Sequence, residues 1–434
     1  MGSLSPQYLA EVARRREAAA AKAAAACSTD GMWSARASAS AAPFVLATRD
    51  AAELTAAEVR SEFLAKFRPL VVTGATASSW LPEGASTEGE AEAPWTLDWL
   101  VAHVGSKQVA VNVAGSQTTS CTEGVDVMPF RELAARLRAG EVLYLYDMSI
   151  PLKLPTLTEH LGVPAMYAHD WMQRTRELHA FSRSWPSLFV GAPGTRSSLH
   201  TDQWRGHFWM AQIQGTKRWT IFHPDDAWCL EPTWPESEPH LEPRFPDLDA
   251  MQAEPGRYPH LALARRVDVL LRPGMLLLVP GGAPHRVVNG DGAISIAIAG
   301  NFVEASNAAA AISDLELMAR RRAEGPPDRG AATAAAALAE LDICDEDDAP
   351  CSAAFPAHRC VVPWAEYARG GGAEWARAAA SEVGADAASA GACGGDGDGE
   401  GAAGIVPLAS VDDDSSEDDQ VFWRSDGEYE SASD

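Results

Sequence analysis

The spacing of apolar and polar positions divides the chain into four sections. Near the start, "QYLAEVARRREAAAAKAAAA" is dominated by alanine and straight-chain residues, which favour helix strongly. A Ser/Ala-rich linker follows, so residues 1–42 read as an N-terminal helix and linker. From about 43 to 305, apolar strands alternate with short helices. "RPLVVTG" reads as a strand closed by a glycine turn, and "WTLDWLVAHVG" as a short amphipathic helix ending at Gly105. "KQVAVNVA" and "EVLYLYDM" read as strands, with "MPFRELAARLRAG" as a helix between them. "HFWMAQIQGTKRWTIFHP" predicts strand, a turn at Gly215, and strand. "RPGMLLLVPGGAPHRVVNGDGAISIAIAGNF" predicts three more strands, joined by "PGGAP" and by a hairpin turn at "NGDG".

Short strands joined by Gly/Pro turns indicate an antiparallel sandwich or barrel rather than a parallel sheet. Residues 306–388 are rich in Ala, Leu, Glu and Arg and predict a mostly helical C-terminal extension, broken at "EGPPDRG" and "RGGGA". From 389 to 434 the Gly/Asp/Ser/Glu composition cannot bury enough apolar surface to order itself. The class is therefore mainly β with flanking helices, and there is no internal repeat.

Composition narrows the function classes. The 434 residues are 46% apolar, enough for a sizeable core, and no apolar run is long enough to span a membrane. The net charge of −25 is largely local, because thirteen acidic residues follow Gly391 against Arg424 alone. That balance speaks against nucleic-acid binding, which needs a basic patch. Seven cysteines, an odd number spread from Cys27 to Cys393, fit reduced thiols of the cytoplasm or nucleus better than a disulfide framework. The start "MGSLSP" has Pro6 where a myristoylation signal needs Ser or Thr. No secretory pattern is present, and an Ala/Arg-rich organelle transit peptide stays open, with Glu11 and Glu17 against it.

One stretch asks for more than a core. "SSLHTDQWRGHFWMAQIQGTKRW" carries His200, Asp202 two places on, and Lys217 seventeen places after the histidine. Residues i and i+2 of a strand share a face, so His200 and Asp202 project together. His285 begins a strand after a tight turn. Two imidazoles and one carboxylate on one side of a metal leave the opposite positions open, which suits non-haem Fe(II) and oxygen chemistry. Lys217 would give a dicarboxylate co-substrate its cationic partner. Each residue also has an ordinary reading: His207 as a packing residue, His223 as a strand-end residue, Lys217 as a turn lysine. The combination in this order is what favours a site.

"SSLHTD", "QIQGTKRWTIFHP", "LLLVPGGAPHRVVN" and "SIAIAGNF" together resemble the successive core motifs of the Jumonji-C (cupin-type) Fe(II)- and 2-oxoglutarate-dependent dioxygenases. The resemblance covers roughly 43–305, with its core motifs in 186–302. It is closest to the small subgroup of protein side-chain hydroxylases, which includes a lysyl hydroxylase with the same His-to-Lys spacing. It implies a double-stranded β-helix (jelly-roll) core, with Fe(II), 2-oxoglutarate and O2 as cofactor and co-substrates. His200, Asp202 and His285 would hold the iron. Lys217 would pair with the distal carboxylate of 2-oxoglutarate, with Ser197 and Tyr144 sharing that duty and Tyr146 the register competitor of Tyr144. Asn301 matches an amide near co-substrate and iron, and Trp204 either lines the substrate entrance or packs.

Departures from the pattern leave the His200–Asp202–His285 set untouched and bear on the co-substrate pocket and the exact substrate. Ala283 and Pro284 precede the last ligand where close relatives often have a tryptophan. Met210 stands in place of an asparagine and Ala299 in place of a threonine. The reaction implied is hydroxylation of a protein side chain, lysyl or similar, with succinate and CO2 as co-products. The alternatives are a methyl-lysine demethylase, an RNA-nucleoside hydroxylase and an idle cupin that binds a partner. Cys351, His358 and Cys360 lie close together, but their spacing fits no common zinc finger. The acidic tail is either a solvated end or a docking segment anchored by Phe422, Trp423 and Tyr429 and tuned at Ser415 or Ser416.

Overall fold

A computed structural model describes residues 4–26, 44–74, 95–113, 125–174, 184–235, 240–322, 328–341 and 361–368. The acidic tail and the Cys351–Cys360 cluster lie outside the described residues. Among the described residues fifteen strands occur in chain order: β1 (Ala47–Asp50), β2 (Leu70–Thr73), β3 (Gln108–Val113), β4 (Val125–Pro129), β5 (Leu143–Ser149), β6 (Gly162–Pro164), β7 (Ser187–Gly191) and β8 (Arg196–His200). Then come β9 (His207–Gln214), β10 (Lys217–Phe222), β11 (Arg266–Leu271), β12 (Leu276–Val279), β13 (His285–Asn289), β14 (Ser295–Phe302) and β15 (Val361–Pro363). Nine form one sheet in the order β1-β2-β12-β9-β14-β7-β5-β3-β4, and β11-β10-β13-β8 form a second. Pairing is antiparallel except between β1 and β2. This is the jelly-roll arrangement, two facing sheets between which the chain passes repeatedly.

That passage corrects one expectation. "NGDG" does not close a hairpin: β13 pairs with β10 and β8 in the small sheet, whereas β14 pairs with β7 and β9 in the large one. β9 and β10, on either side of Gly215, likewise belong to different sheets. The turn signal was right about a reversal, but local turn chemistry says nothing about which sheet receives the next strand.

Period-2 alternation then sorts the side chains of the large sheet. Trp209 and Ala211 of β9, Ile296 and Ile298 of β14, and Leu188 and Val190 of β7 face outward into a core shared with the helices Leu97–Val104 and Phe130–Arg138. Each of these side chains is essentially solvent-free, and burial of each leucine, isoleucine and valine is worth about 1.5–3 kcal/mol. Their neighbours Phe208, Met210, Ala297, Ala299 and Phe189 face the small sheet and meet Trp219, Ile221 and Val287 there. The outer face of the small sheet is covered by the excursion between β10 and β11, through Leu199, Phe222, Leu230, Leu248 and Met251.

The flanking segments dock on this body. The N-terminal helix Pro6–Ala26 buries Tyr8 and Val12 against Leu241. Helices Ala308–Ala319 and Arg329–Ala339 share a core with Met172, Trp204 and Val303. Inside the extension expected to be mostly helical, β15 instead pairs with β6, and Tyr367 just after it donates a hydrogen bond to buried Asp170. The paired valines of "VVP" fit an extended edge better than a helix, and Pro363 has no N–H to continue one.

Candidate active site

Both sheets contribute to the space between them. On the small sheet Lys217 pairs with Asn289, Trp219 with Val287 and Ile221 with His285. These inward residues form a row with Lys217 and Asn289 at one end and His285 at the other. Four residues of strand separate the ends, about 13 Å. β8 completes the histidine end through a bulge: His200 pairs with His285, but Val287 pairs with Ser197. One extra residue on β8 therefore puts Ser197 and His200, three apart, on the same inward face. Asp202 follows immediately beyond β8, in extended backbone at the mouth of a short 3-10 turn.

His200, Asp202 and His285 each offer one ligand atom, all within 4.8 Å of one another. Asp202 Oδ1 lies 3.8 Å from His200 Nε2 and 3.9 Å from His285 Nε2. Each imidazole is fixed from behind by a backbone carbonyl: His200 Nδ1 sits 2.7 Å from the Ser198 oxygen and His285 Nδ1 2.9 Å from the Ala283 oxygen. A carbonyl only accepts, so the proton sits on Nδ1 and the Nε2 lone pair faces Asp202, the orientation metal ligation requires. Burial, reinforced at His200 by neighbouring His285, pushes His200 down to about 4, and burial alone does the same at His285. Both rings are thus neutral donors near pH 7. Burial raises the Asp202 carboxyl, while His200 and the Asn301 amide, which donates at 3.1 Å to Oδ2, hold it down.

The opposite end is cationic. Lys217 is 0% exposed, and its Nζ donates to Asn289 Oδ1 at 2.6 Å and to the Tyr144 hydroxyl at 3.2 Å. It lies over the rings of Tyr144 and Phe189. No carboxylate among the described residues pairs with it, and burial alone lowers it to about 7. A buried ammonium held only by neutral groups bears a desolvation cost that no opposite charge among the described residues offsets. Of the two tyrosines in register competition, Tyr144 touches the lysine, whereas Tyr146 stacks edge-on against Tyr144 and Phe189. Gly191 is what lets these groups meet: a Cβ there would lie 2.4 Å from Asn289 Nδ2 and 2.6 Å from a ring carbon of Tyr144.

Other expected positions divide. Ser197 is buried on the inward face, and Met210 and Ala299 line the same space as apolar wall. Trp204 is packed: at 1% exposure it lies among Met172, Val303 and the two C-terminal helices, edge-on to Trp185. His207 is a packing residue, hydrogen-bonded to Ser306 and to the Gly281 N–H, and His223 follows the end of β10. Asn289, Thr195 and Gly191 were not singled out from the sequence. Asn289 had a signal, since it stands four residues after His285 in an alternating strand.

Asp147 had none. β5 carries a bulge in which Tyr146 and Asp147 together oppose Phe189, because Leu145 pairs with Val190 and Met148 with Leu188. Asp147 adopts a left-handed φ of 52°, which aspartate tolerates better than most residues. Its side chain reaches solvent, although protein atoms are dense around it. Burial raises its carboxyl to about 6, opposed by a hydrogen bond from Ser187 and helped by nearby Asp202.

Comparison with known proteins identifies the architecture. The profile of a family described as a cupin-like domain matches residues 56–307, more than half of the chain. The chain belongs to the cupin-like family, of the JmjC type. Among similar proteins, the arginine-specific demethylase JMJ20 of Arabidopsis thaliana is 22% identical over 56% of this chain and 54% of its own length. The lysine-specific demethylase JMJ21 of the same plant is 25% identical over 58% of this chain and 24% of its own length. The tRNA wybutosine-synthesizing protein 5 of Mus musculus is 27% identical over 48% of this chain and 67% of its own. The chain thus spans about half or less of the first of these relatives. Its cupin-like region contains both ends of the site. Among the described residues no helix is long and apolar enough to cross a membrane.

Proposed function

We propose that this cupin-like protein is an Fe(II)- and 2-oxoglutarate-dependent dioxygenase that hydroxylates a side chain, lysyl or similar, of a protein substrate. The observation that carries the reading is the pairing, in one inter-sheet space, of a His-Asp-His cluster with a buried ammonium that lacks a carboxylate. The donor set fits the metal, since two neutral Nε2 atoms and one carboxylate converge while one side is left to the cavity. The lysine end fits the co-substrate. A lysine side chain plus a short dicarboxylate would span the strand distance of about 13 Å between the two ends.

Bound Fe(II), 2-oxoglutarate and O2 would supply the oxidising power for C–H hydroxylation, with succinate and CO2 as co-products. This chain's residues do the rest. His200, Asp202 and His285 hold the metal, and the Ser198 and Ala283 carbonyls keep the imidazoles turned. Lys217 neutralises the distal carboxylate, oriented by Tyr144 and Asn289, while Thr195 accepts from the Asn289 amide at 2.7 Å. Ser197 adds a hydroxyl from the bulged strand, and Asn301 steadies Asp202. The apolar wall of Phe189, Met210, Trp219 and Val287 excludes water.

Purified protein given Fe(II) and 2-oxoglutarate should form succinate in a metal-dependent way. Metal binding without any succinate would favour an idle cupin. The relatives named demethylases give the nearest rival, because hydroxylation of an N-methyl carbon ends in loss of that carbon. Mass spectrometry of captured protein substrate separates the two: gain of one oxygen against loss of one methylene.

A further inference from the structure

The dioxygenase reading leaves one charge at the site without a partner. Fe(II) carries two positive charges and Lys217 one; Asp202 carries one negative charge and 2-oxoglutarate two. That set is neutral. Asp147 stands outside the His200–Asp202–His285 group, so its carboxylate is not among the metal's ligands. It nevertheless faces the same space. The β5 bulge sets it, with Tyr146, opposite the inward-facing Phe189, and its hydrogen bond from Ser187 places it at the metal end of the large sheet. Ser187 in turn pairs with Ala299, two residues before the Asn301 that donates to Asp202.

Without the bulge, Tyr144 and Asp147 would point to opposite faces, being three residues apart. With it, one strand supplies Tyr144 to the cationic end and Asp147 to the metal end. Asp147 is also solvent-accessible, whereas Lys217 at the other end of the space is sealed. A solvent-accessible carboxylate with no cationic partner among the described residues, at the metal end of the inter-sheet space, is a recognition element for a cation.

We infer that Asp147 is the specificity-determining residue of this site, binding the cationic head of a lysyl or arginyl substrate side chain next to the metal. The inference rests on the proposed function and deepens it. Asp147 selects substrate, and the metal ligands do not.

The test uses the full chain loaded with Mn(II), which binds like Fe(II) but is redox-silent and paramagnetic, together with 2-oxoglutarate. The probes are n-butylammonium and methylguanidinium, with n-butanol as the neutral control, followed by paramagnetic enhancement of their proton relaxation. The cations should be relaxed more strongly than the alcohol. Asp147→Asn, which keeps the shape and tolerates left-handed backbone, should weaken cation binding about tenfold and leave the alcohol unaffected. Equal enhancement for cations and alcohol, or cation enhancement retained in Asp147→Asn, overturns the assignment of Asp147. Water relaxation in the same samples reports Mn(II) binding itself. If Mn(II) or 2-oxoglutarate fails to bind the unaltered protein, the dioxygenase reading falls and takes this inference with it; if both bind and only the cation preference is missing, the inference alone falls.

Discussion

The two ends of the inter-sheet space are built from the same strands and do opposite electrostatic work. β13 starts with His285 at one end and finishes with Asn289 at the other; β8 reaches the metal end with His200. At the metal end the polar groups satisfy one another. Carbonyls orient both imidazoles, and the Asn301 amide holds Asp202. At the lysine end a buried ammonium has only an amide oxygen and a hydroxyl. Burial depresses titration of the cation at both ends, yet it leaves the imidazoles ready for a metal and the ammonium short of a counter-ion. One end gathers neutral imidazoles round a carboxylate; the other buries a cation with no carboxylate beside it among the described residues.

The largest effect should come from the metal end. His200→Ala or Asp202→Ala should abolish succinate formation while the melting temperature stays near that of the unaltered protein, because neither side chain is part of the apolar clusters. Near-normal turnover by either folded variant would remove the metal role. Asp202→Glu moves the carboxylate by about a bond length, which metal geometry tolerates poorly, and should lose nearly as much.

Next comes the packing that shapes the lysine end. Gly191→Ala pushes a methyl into Asn289, Tyr144 and Thr195. It should weaken 2-oxoglutarate binding by roughly ten- to a hundredfold, the equivalent of about 1–3 kcal/mol of overpacking. Metal affinity, set at the other end, should hardly move. A matched fall in both affinities would show that the ends are one mechanical unit.

How much of this could be read in the sequence follows from which contacts are local. The strands, the outward and inward faces of β9 and β14, and the place of His285 after its turn follow from period-2 alternation and turn chemistry; Asp202 does not, because β8 ends at His200 and the carboxylate comes from the start of the next turn rather than from the same strand face. The two bulges do not. Nothing in "RSSLH" says that Ser197 and His200 share a face, and nothing in "LYLYD" says that Asp147 joins Tyr144; both depend on a partner strand that is remote in sequence. The misread "NGDG" turn has the same origin, since its two flanking strands find different partners. Trp204 packs because the C-terminal helix covers it, a contact between residues about a hundred positions apart.

A pH series sharpens the comparison at the lysine end. In the absence of ligand, burial lowers Lys217 to about 7, against roughly 10.4 in an unfolded chain. The folded state then binds fewer protons than the unfolded one between those values, so stability attributable to this group rises with pH across that window. Dicarboxylate binding needs the ammonium, so 2-oxoglutarate affinity should fall by up to about tenfold from pH 7 to pH 8. An affinity flat over that range would mean that the lysine keeps its charge without the anion.

The smallest effect is expected at Ser197. Ser197→Ala removes one neutral donor and should raise the 2-oxoglutarate requirement by about two- to tenfold. A loss as large as that of Gly191→Ala would move the anion's main contact onto β8.

The central claim is that one cavity binds metal and dicarboxylate through separate ends, and paired titrations of Lys217→Ala test it most directly. Mn(II) affinity is read by water relaxation and 2-oxoglutarate affinity by calorimetry on the metal-loaded protein, beside the unaltered chain. The account predicts 2-oxoglutarate binding weakened by roughly ten- to a hundredfold, as for loss of a charge-assisted hydrogen bond, with Mn(II) affinity near that of the unaltered protein. Unchanged 2-oxoglutarate binding in Lys217→Ala would contradict it, as would a parallel collapse of both affinities.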